Sequence, residues 1–303
     1  MRYGLTIDTG RPLPQVIEQV QRMSDAGFAT AASSQIFGYD ALTMLALVGQ
    51  SVPGIGLATS VVPIYPRHPV MLAAQALTVQ AATGGRLTLG IGLSHQIVIE
   101  NVFGQSFDRP LRHMREYLAI LMPVLRGEAA SFQGEVLSGT TWGPLEIDAP
   151  APPVVVAALG PRMLELAGTV ADGTATWMTG PATVRDHIVP TITGAAEAAG
   201  RPAPRVVVAL PVCVTDDVDA ARATAAEDFA VYGTLPSYRA MLDREQAAGP
   251  GDVALVGDEA AVTEQIAALD VAGATEFVAS IYGDPGERDR TFALLATLAK
   301  EAR

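Results

Sequence analysis

Residues Gly54–His95 read GIGLATSVVPIYPRHPVMLAAQALTVQAATGGRLTLGIGLSH, and the fold follows from them. The apolar run Ile55–Val62 ends in Pro63, and a loop with the basic pair Arg67–His68 follows. Pro69 opens a long segment of apolar and small residues that closes at Gly84–Gly85. A second apolar run, Arg86–Gly92, ends in Gly-Leu-Ser-His. Proline just inside a helix start and glycine just past its end are the usual punctuation, so the stretch reads strand, helix, strand. Neither run alternates polar with apolar residues, as a strand with one wet face would. That argues for parallel strands buried on both faces. The polar atoms gather just past the strand ends, where α/β enzymes keep their chemistry.

The same rhythm extends outward. Tyr3–Ile7 is a short strand ending at Asp8. Leu13–Ala26 has helical spacing, with Val16, Ile17, Val20 and Met23 on one face, and Gly27 stops it. Phe28–Ala32 is a second strand ending at Ser33-Ser34. Tyr39–Gly49 is a second helix with Asp40 in its first turn, where a carboxylate suits the helix dipole. Pro110–Arg126 reads as a helix with Arg112, Arg115 and Glu116 on a polar face. Residues 127–150 break the rhythm: they are rich in Gly, Ser and Thr, SFQGEVL reads as a small hairpin, and the segment is an insertion loop. Strands then follow at Pro153–Ala158, Gly173–Trp177, Arg205–Val214 and Glu276–Ile281. Helices follow at Pro161–Val170, Ala182–Ala199, Asp216–Tyr232, Pro236–Ala247, Asp258–Ala272 and Glu287–Glu301. Eight strands, each followed by helix, predict an α/β protein built as a single (β/α)8 TIM barrel over residues 1–303, not an open doubly wound sheet.

Composition narrows the function. Of 303 residues, 49 % are hydrophobic and 17 % charged, which supplies a large core, and the formal charge is −12. A strongly acidic chain without a basic cluster is a poor binder of nucleic acid. An anionic ligand must then be held by backbone N–H groups and a few arginines. Cys213 is the one cysteine, so neither a disulfide framework nor a cysteine zinc site forms within one chain. The start MRYGLTIDTG has no apolar signal core, and no apolar stretch is long enough to span a bilayer, so the expectation is a cytoplasmic protein. The four histidines show no metal-binding spacing, and no metal is expected.

Several residues can carry chemistry. In Ala157-Ala158-Leu159-Gly160-Pro161-Arg162 a strand ends, glycine turns the chain and proline starts a helix. The N–H groups of Ala158, Leu159 and Gly160 gather at the positive end of that helix, an arrangement that binds phosphate, and Arg162 adds charge. The pattern is also that of an ordinary strand–turn–helix joint. Gly90-Ile91-Gly92-Leu93-Ser94-His95 is half of a dinucleotide fingerprint and lacks the third glycine. Glycines at a strand end permit a flat ring to approach the backbone. His95 just past a strand can serve as base, acid or hydrogen-bond donor, and so can an Asp8 carboxylate at the end of the first strand. Each is equally read as a satisfied loop residue or turn cap. Arg67–His68 can meet an anionic tail or simply be solvated. His113 and His187 are taken as structural or surface residues. Trp177-Met178, Phe37, Tyr65 and Tyr232 can wall an apolar pocket or belong to the core.

These residues together resemble the bacterial-luciferase-like oxidoreductases, in the branch that uses the deazaflavin coenzyme F420. The likeness covers nearly the whole chain. It is carried by Leu57-Ala58-Thr59-Ser60-Val61-Val62-Pro63, Arg67-His68-Pro69, Gln75–Arg86, Leu89-Gly90-Ile91-Gly92, and Ala157–Arg162 with Ala171-Asp172-Gly173 after it. Gly92-Leu93-Ser94-His95 and Trp177-Met178-Thr179-Gly180 resemble an actinobacterial subgroup. The resemblance implies one barrel with insertions, usually a homodimer, with the deazaflavin at the C-terminal end of the barrel. It implies a non-proline cis peptide at Ser60–Val61 behind the ring. It also implies phosphate contacts from Ala158, Leu159 and Gly160 with Ala157 and Arg162 beside them, and further coenzyme contacts from Ser33, Ser34, Gly92 and Ser94.

The chain departs from the sugar-phosphate dehydrogenases of this branch at one place. They carry an Asp-His pair at the end of strand two, where this chain has Ser33-Ser34. Serine's pKa is far too high for it to accept a hydroxyl proton. The expectation is therefore a reductase that delivers hydride from reduced F420 to a C=C, C=N or C=O bond of a small molecule. The alternatives are an FMN-dependent monooxygenase of the same fold and a non-catalytic flavin- or deazaflavin-binding protein.

Overall fold

The computed structural model of the chain describes residues 1–35 and 37–302. Its strands are β1 (Arg2–Thr6), β2 (Thr30–Ser33), β3 (Gly56–Thr59), β4 (Val62–Pro63), β5 (Leu87–Gly92), β6 (Ser131–Gln133), β7 (Ser138–Thr140), β8 (Val154–Ala157), β9 (Gly173–Trp177), β10 (Arg205–Val214), β11 (Leu255–Gly257) and β12 (Glu276–Ile281). Eight of them follow one another in hydrogen-bonded order, β12–β1–β2–β3–β5–β8–β9–β10, and β10 pairs again with β12. The sheet thus closes on itself as a parallel (β/α)8 barrel. Short β4 pairs with β5 and short β11 with β10. Closure removes both sheet edges, and strands buried on both faces need the continuous apolar runs seen in the sequence.

The chain forms two compact units. One comprises Met1–Thr6, Arg22–Ala32 and Ala158–Arg303, the other Ile7–Gln21 and Ser33–Ala157. In the first, β10 is buried along nearly its whole length and pairs with β9 on one side and β12 on the other. The carboxylate of Glu276, 2 % exposed, is held by Arg205 at 2.7 Å. A buried carboxylate without such a partner would carry a large desolvation cost. Phe28 packs on Phe292 with ring centroids 5.5 Å apart, and Arg22 lies over the other ring at 5.3 Å.

In the second unit, Arg86 fastens three chain segments. It donates to Thr83 O, to Val52 O and Ile55 O, and to Gly49 O at 2.6 Å. Three of these carbonyls lie at or just past the ends of the helices Ala41–Ser51 and Pro69–Thr83, where the last turn leaves carbonyls without partners. Asp40 stands just outside the first of these helices as its N-cap, accepting from Thr43 N at 2.9 Å.

Three elements differ from the sequence reading. The run Ile55–Val62 is not one strand: it splits into β3 and β4 at a cis Ser60–Val61 peptide, as the resemblance implied. Glu116 does not lie on a polar face. It is buried, and its carboxylate accepts the N–H groups of Glu135, Val136 and Leu137 at 3.1, 2.8 and 2.7 Å, mooring the turn of the β6–β7 hairpin inside 127–150. The helix after β9 is not continuous either. It runs as Pro181–Thr183, a π-turn Val184–Ile188, and Val189–Ala198. Pro190 has no N–H to return to Asp186, and the N–H of Val189 reaches back five residues to Val184 O instead.

Candidate functional site

In the unit containing Ser33–Ala157, the polar residues past β2 and β3 form a clamp around the cis peptide. Ser60 N donates to Ser33 O at 2.8 Å, Ser34 Oγ to Ser60 O at 2.7 Å, and Gln35 N to Val61 O at 3.3 Å. Thr59 Oγ1 donates to Gly90 O and accepts from Gly90 N, at 2.7 and 2.8 Å. The hydroxyl of Ser34 is thereby committed to the backbone. Ser33 Oγ is different: the residue is 1 % exposed and this oxygen has no hydrogen-bond partner among the described residues. An orphaned hydroxyl in a dry position is costly, and a bound polar group would satisfy it.

Gly90 and Gly92 serve this clamp. A Cβ on Gly90 would meet Thr59 O, and one on Gly92 would lie 2.7 Å from Val61 Cγ2 and 3.2 Å from Ala157 Cβ. The sequence reading gave these glycines to a flat ring, whereas the close approach at Gly90 is made by the chain's own bulged strand. Ser94 follows with φ 61°, and half-buried His95 takes the N-cap position of the helix Gln96–Asn101 without capping it by its side chain. Burial pulls the imidazole pKa below its ordinary value, so the ring is neutral at pH 7.

Other candidates take structural posts. Asp8 is exposed. Its carboxylate accepts from Gly10 N at 3.1 Å and from Arg11 Nε at 2.9 Å, an Asx-type turn closed by an ion pair. Arg67 pairs with Asp40 and donates to Gln35 Oε1. Burial raises the Asp40 pKa, but the hydrogen bonds from Thr43 and the Arg67 charge outweigh it and hold the carboxyl below its ordinary value. His68 is the N-cap of the helix Pro69–Thr83, and its Nε2 lies 3.1 Å from Ser138 O. His113 is buried and stacks on Tyr65 at 4.1 Å, with Phe107 beyond Tyr65 at 5.4 Å. Phe37 is 70 % exposed, and Tyr65 is buried.

In the unit containing Ala158–Arg303, the turn after β8 has the shape of an anion seat. Gly160 is the N-cap of the helix Pro161–Val170, with φ −77° and no side-chain cap. Space around it is open, since a Cβ there would meet nothing within 4 Å. The three carbonyls of the turn are tied back. Ala158 O accepts from Thr174 Oγ1 at 3.2 Å, Leu159 O lies 2.8 Å from His187 Nε2, and Gly160 O accepts from Met163 N and Leu164 N. The N–H groups of Leu159 and Gly160 have no acceptor among the described residues. Arg162 is exposed and pairs with no carboxylate among them. Free N–H groups at the positive end of a helix, with a nearby cation, can bind phosphate.

A second Gly-Pro helix start in the same unit shows the contrast. Gly180 precedes Pro181 as Gly160 precedes Pro161, yet Glu245 fills the position. Its carboxylate accepts from Ala182 N at 3.1 Å, Thr183 N at 2.8 Å and Thr183 Oγ1 at 2.6 Å, and a Cβ on Gly180 would lie 2.5 Å from Glu245 Oε1. Trp177 packs edge-on against Phe229 and Tyr232, and Met178 is buried with φ 54°. His187 is buried too, and sequence reasoning had given it no part in the turn after β8. No grouping of three or more His, Cys, Asp or Glu side chains suited to a metal ion occurs among the described residues. No helix among them is long and apolar enough to cross a membrane.

Comparison with known proteins agrees with this architecture. A putative coenzyme F420-dependent oxidoreductase of Mycobacterium tuberculosis is 34 % identical over 192 residues, 57 % of this chain; the chain spans about half of that protein's length, 54 %. A 5,10-methylenetetrahydromethanopterin reductase of Methanolobus tindarius is 28 % identical over 76 % of this chain and 70 % of its own length. Among solved structures, the coenzyme F420-dependent tetrahydromethanopterin reductase of Methanopyrus kandleri superposes with a TM-score of 0.82 at 20 % identity, covering 97 % of each chain. The sequence profile described as luciferase-like monooxygenase matches residues 1–276, and the chain belongs to that family.

Proposed function

We propose that the protein is an oxidoreductase that uses coenzyme F420 and reduces a C=C, C=N or C=O bond of a small organic substrate. The observation that carries this reading is the open helix start at Gly160. Its carbonyls are tied back, its N–H groups are unused by any described residue and its space is clear, as a phosphate-bearing coenzyme requires. The name of the M. tuberculosis relative favours the deazaflavin over FMN. Leu159, Gly160 and Arg162, with Ala157 and Ala158 beside them, would take the phosphate. Ser60 and Val61 would back the ring, and Ser33, Gly92 and Ser94 would border it, with the orphaned Ser33 Oγ gaining a partner there.

When bound, the reduced coenzyme supplies a hydride. The protein's share is to hold the acceptor against the ring and deliver a proton. The end of β2 offers only serines, and Ser34 is engaged with Ser60 O, so no base stands there to take a proton from an alcohol. That favours reduction over alcohol oxidation. Half-buried, neutral His95 is the candidate to hydrogen-bond the acceptor atom as charge builds on it. Asp8, engaged with Gly10 and Arg11, is left with an orienting role. We further propose a single catalytic domain acting as a cytoplasmic homodimer.

The FMN-dependent monooxygenase reading is kept by one finding. A type II Baeyer-Villiger monooxygenase of Pseudomonas putida, solved with FMN, has the same fold at a TM-score of 0.74 and 20 % identity over 98 % of this chain and 97 % of its own. Titration of the purified protein with F420 and, separately, with FMN, followed by protein fluorescence, tests the choice. Tight binding of F420 and weak binding of FMN is expected. The reverse result replaces the proposal with the monooxygenase. If F420 binds tightly but none of a panel of activated alkenes, imines and ketones oxidises F420H2, the chain is a binding protein.

A further inference from the structure

The peptide group joining Leu159 to Gly160 has its two polar ends treated in opposite ways. Its carbonyl oxygen lies 2.8 Å from His187 Nε2, while its N–H has no acceptor among the described residues. A trans peptide is planar, with C=O and N–H on opposite sides of the C–N bond. Fixing the carbonyl toward His187 therefore fixes the Gly160 N–H away from it, at an exposed residue. A carbonyl only accepts, so His187 presents Nε2–H to it and is held in that tautomer.

The backbone that carries the imidazole is itself held on both sides. It is 7 % exposed and sits in the π-turn Val184–Ile188. Upstream, Glu245 binds the N–H groups of Ala182 and Thr183 and fixes the start of this helical segment. Downstream, Thr191 Oγ1 donates to His187 O at 2.6 Å. The π-turn offsets the residues after it relative to a regular helix. The preceding peptide is treated alike: Thr174 Oγ1 holds Ala158 O, which sends the Leu159 N–H the other way.

We infer that His187 is a positioning residue for coenzyme phosphate: by holding the Leu159 carbonyl it aims the Gly160 N–H at the phosphate. The inference rests on the reading of the turn as a phosphate seat and adds to it the residue that orients it. The same pre-aimed peptide would serve any phosphate-bearing ring system, and an unphosphorylated ring would gain nothing from it.

The test compares ligands with and without the phosphate. Dissociation constants are measured for F420 and for the same deazaflavin nucleoside lacking its phosphate tail, with the wild-type protein, His187→Ala and His187→Gln. Melting curves verify that each variant is folded. The expected result is an F420 affinity about ten-fold weaker in His187→Ala, with the phosphate-free ligand unchanged, and recovery in His187→Gln, whose amide can donate to Leu159 O. Equal weakening for both ligands, no weakening, or a loss that glutamine does not restore would overturn the inference. Wild-type protein that binds the two ligands equally would overturn the phosphate seat itself. Wild type that prefers F420, with a preference His187→Ala retains, would leave the seat standing and remove His187 from it. If F420 does not bind, FMN and riboflavin make the same comparison.

Discussion

The carbonyl oxygen of Thr59 stands where a side chain on Gly90 would go: a Cβ there would lie 2.0 Å from it. The oxygen is backbone and cannot rotate aside, and the same two residues share the hydrogen bonds of Thr59 Oγ1. Gly90→Ala should therefore destabilise the protein by about 2–3 kcal/mol, read as a lower urea midpoint at an unchanged slope. Gly92→Ala meets the side chains of Val61 and Ala157 rather than backbone and should cost less, about 1 kcal/mol. Equal costs at the two positions would refute this account.

Gly160 makes the opposite case. Its φ of −77° suits any L residue and its surroundings are open. Gly160→Asp should leave the melting temperature unchanged or slightly raised, since aspartate is a good N-cap. The same carboxylate would cap the first turn of the helix and place a negative charge beside the free N–H groups of Leu159 and Gly160, repelling phosphate, so F420 affinity should fall at least ten-fold. Gly160→Ala is the control and should change neither. Undiminished affinity in the aspartate variant would place the phosphate elsewhere.

His113 predicts an acid limb of stability. Burial lowers its pKa, and the nearby Glu116 charge only partly opposes that. The unfolded chain then binds its proton more readily than the folded one, so this contribution is complete above about pH 6.5 and is lost as pH falls through the lower, folded value. His113→Phe keeps a ring in the stack with Tyr65 and removes the titration. Its unfolding free energy should vary less between pH 7 and 5 than that of the wild type. Parallel curves would assign the acid limb to other groups.

His95→Ala should lower turnover about a hundred-fold while changing F420 affinity by less than three-fold, the mark of a group that acts on the substrate. Since the lowered pKa makes the neutral ring the working form, wild-type kcat should be level above pH 7 and fall as pH drops below 6.5. A rate that rises into acid would instead identify the imidazolium as the proton donor.

Much of the barrel can be read in advance because buried parallel strands must be apolar throughout. Arg205–Val214 is such a run after its first residue, and its observed limits match the reading, as do those of Gly173–Trp177 and Glu276–Ile281. The helix Pro161–Val170 is bounded by its own proline and by the loop glycine, which are local signals. What stayed hidden depends on contacts distant in sequence. Glu116 sits among charged neighbours and looks solvated, yet three N–H groups nineteen to twenty-one residues later bury it. Gly90 looks like a ring platform because nothing nearby shows that Thr59 presses against it. His187 has no motif around it, and its partner, Leu159, is 28 residues upstream. The proline at 190 is a local signal of a helix out of register.

The carboxylate of Glu245 separates two turns that are spelled alike. Two sockets of the same make, one opened by Gly160-Pro161 and one by Gly180-Pro181, lie within a single unit, and the second already holds a resident anion tethered to the chain. Whether the N–H groups of Ala182 and Thr183 are free is thus decided at residue 245, 62 positions downstream of Thr183, and not by the spelling of either loop. A change of that one distant acid would uncover the Ala182 and Thr183 N–H groups while leaving both loop sequences as they are.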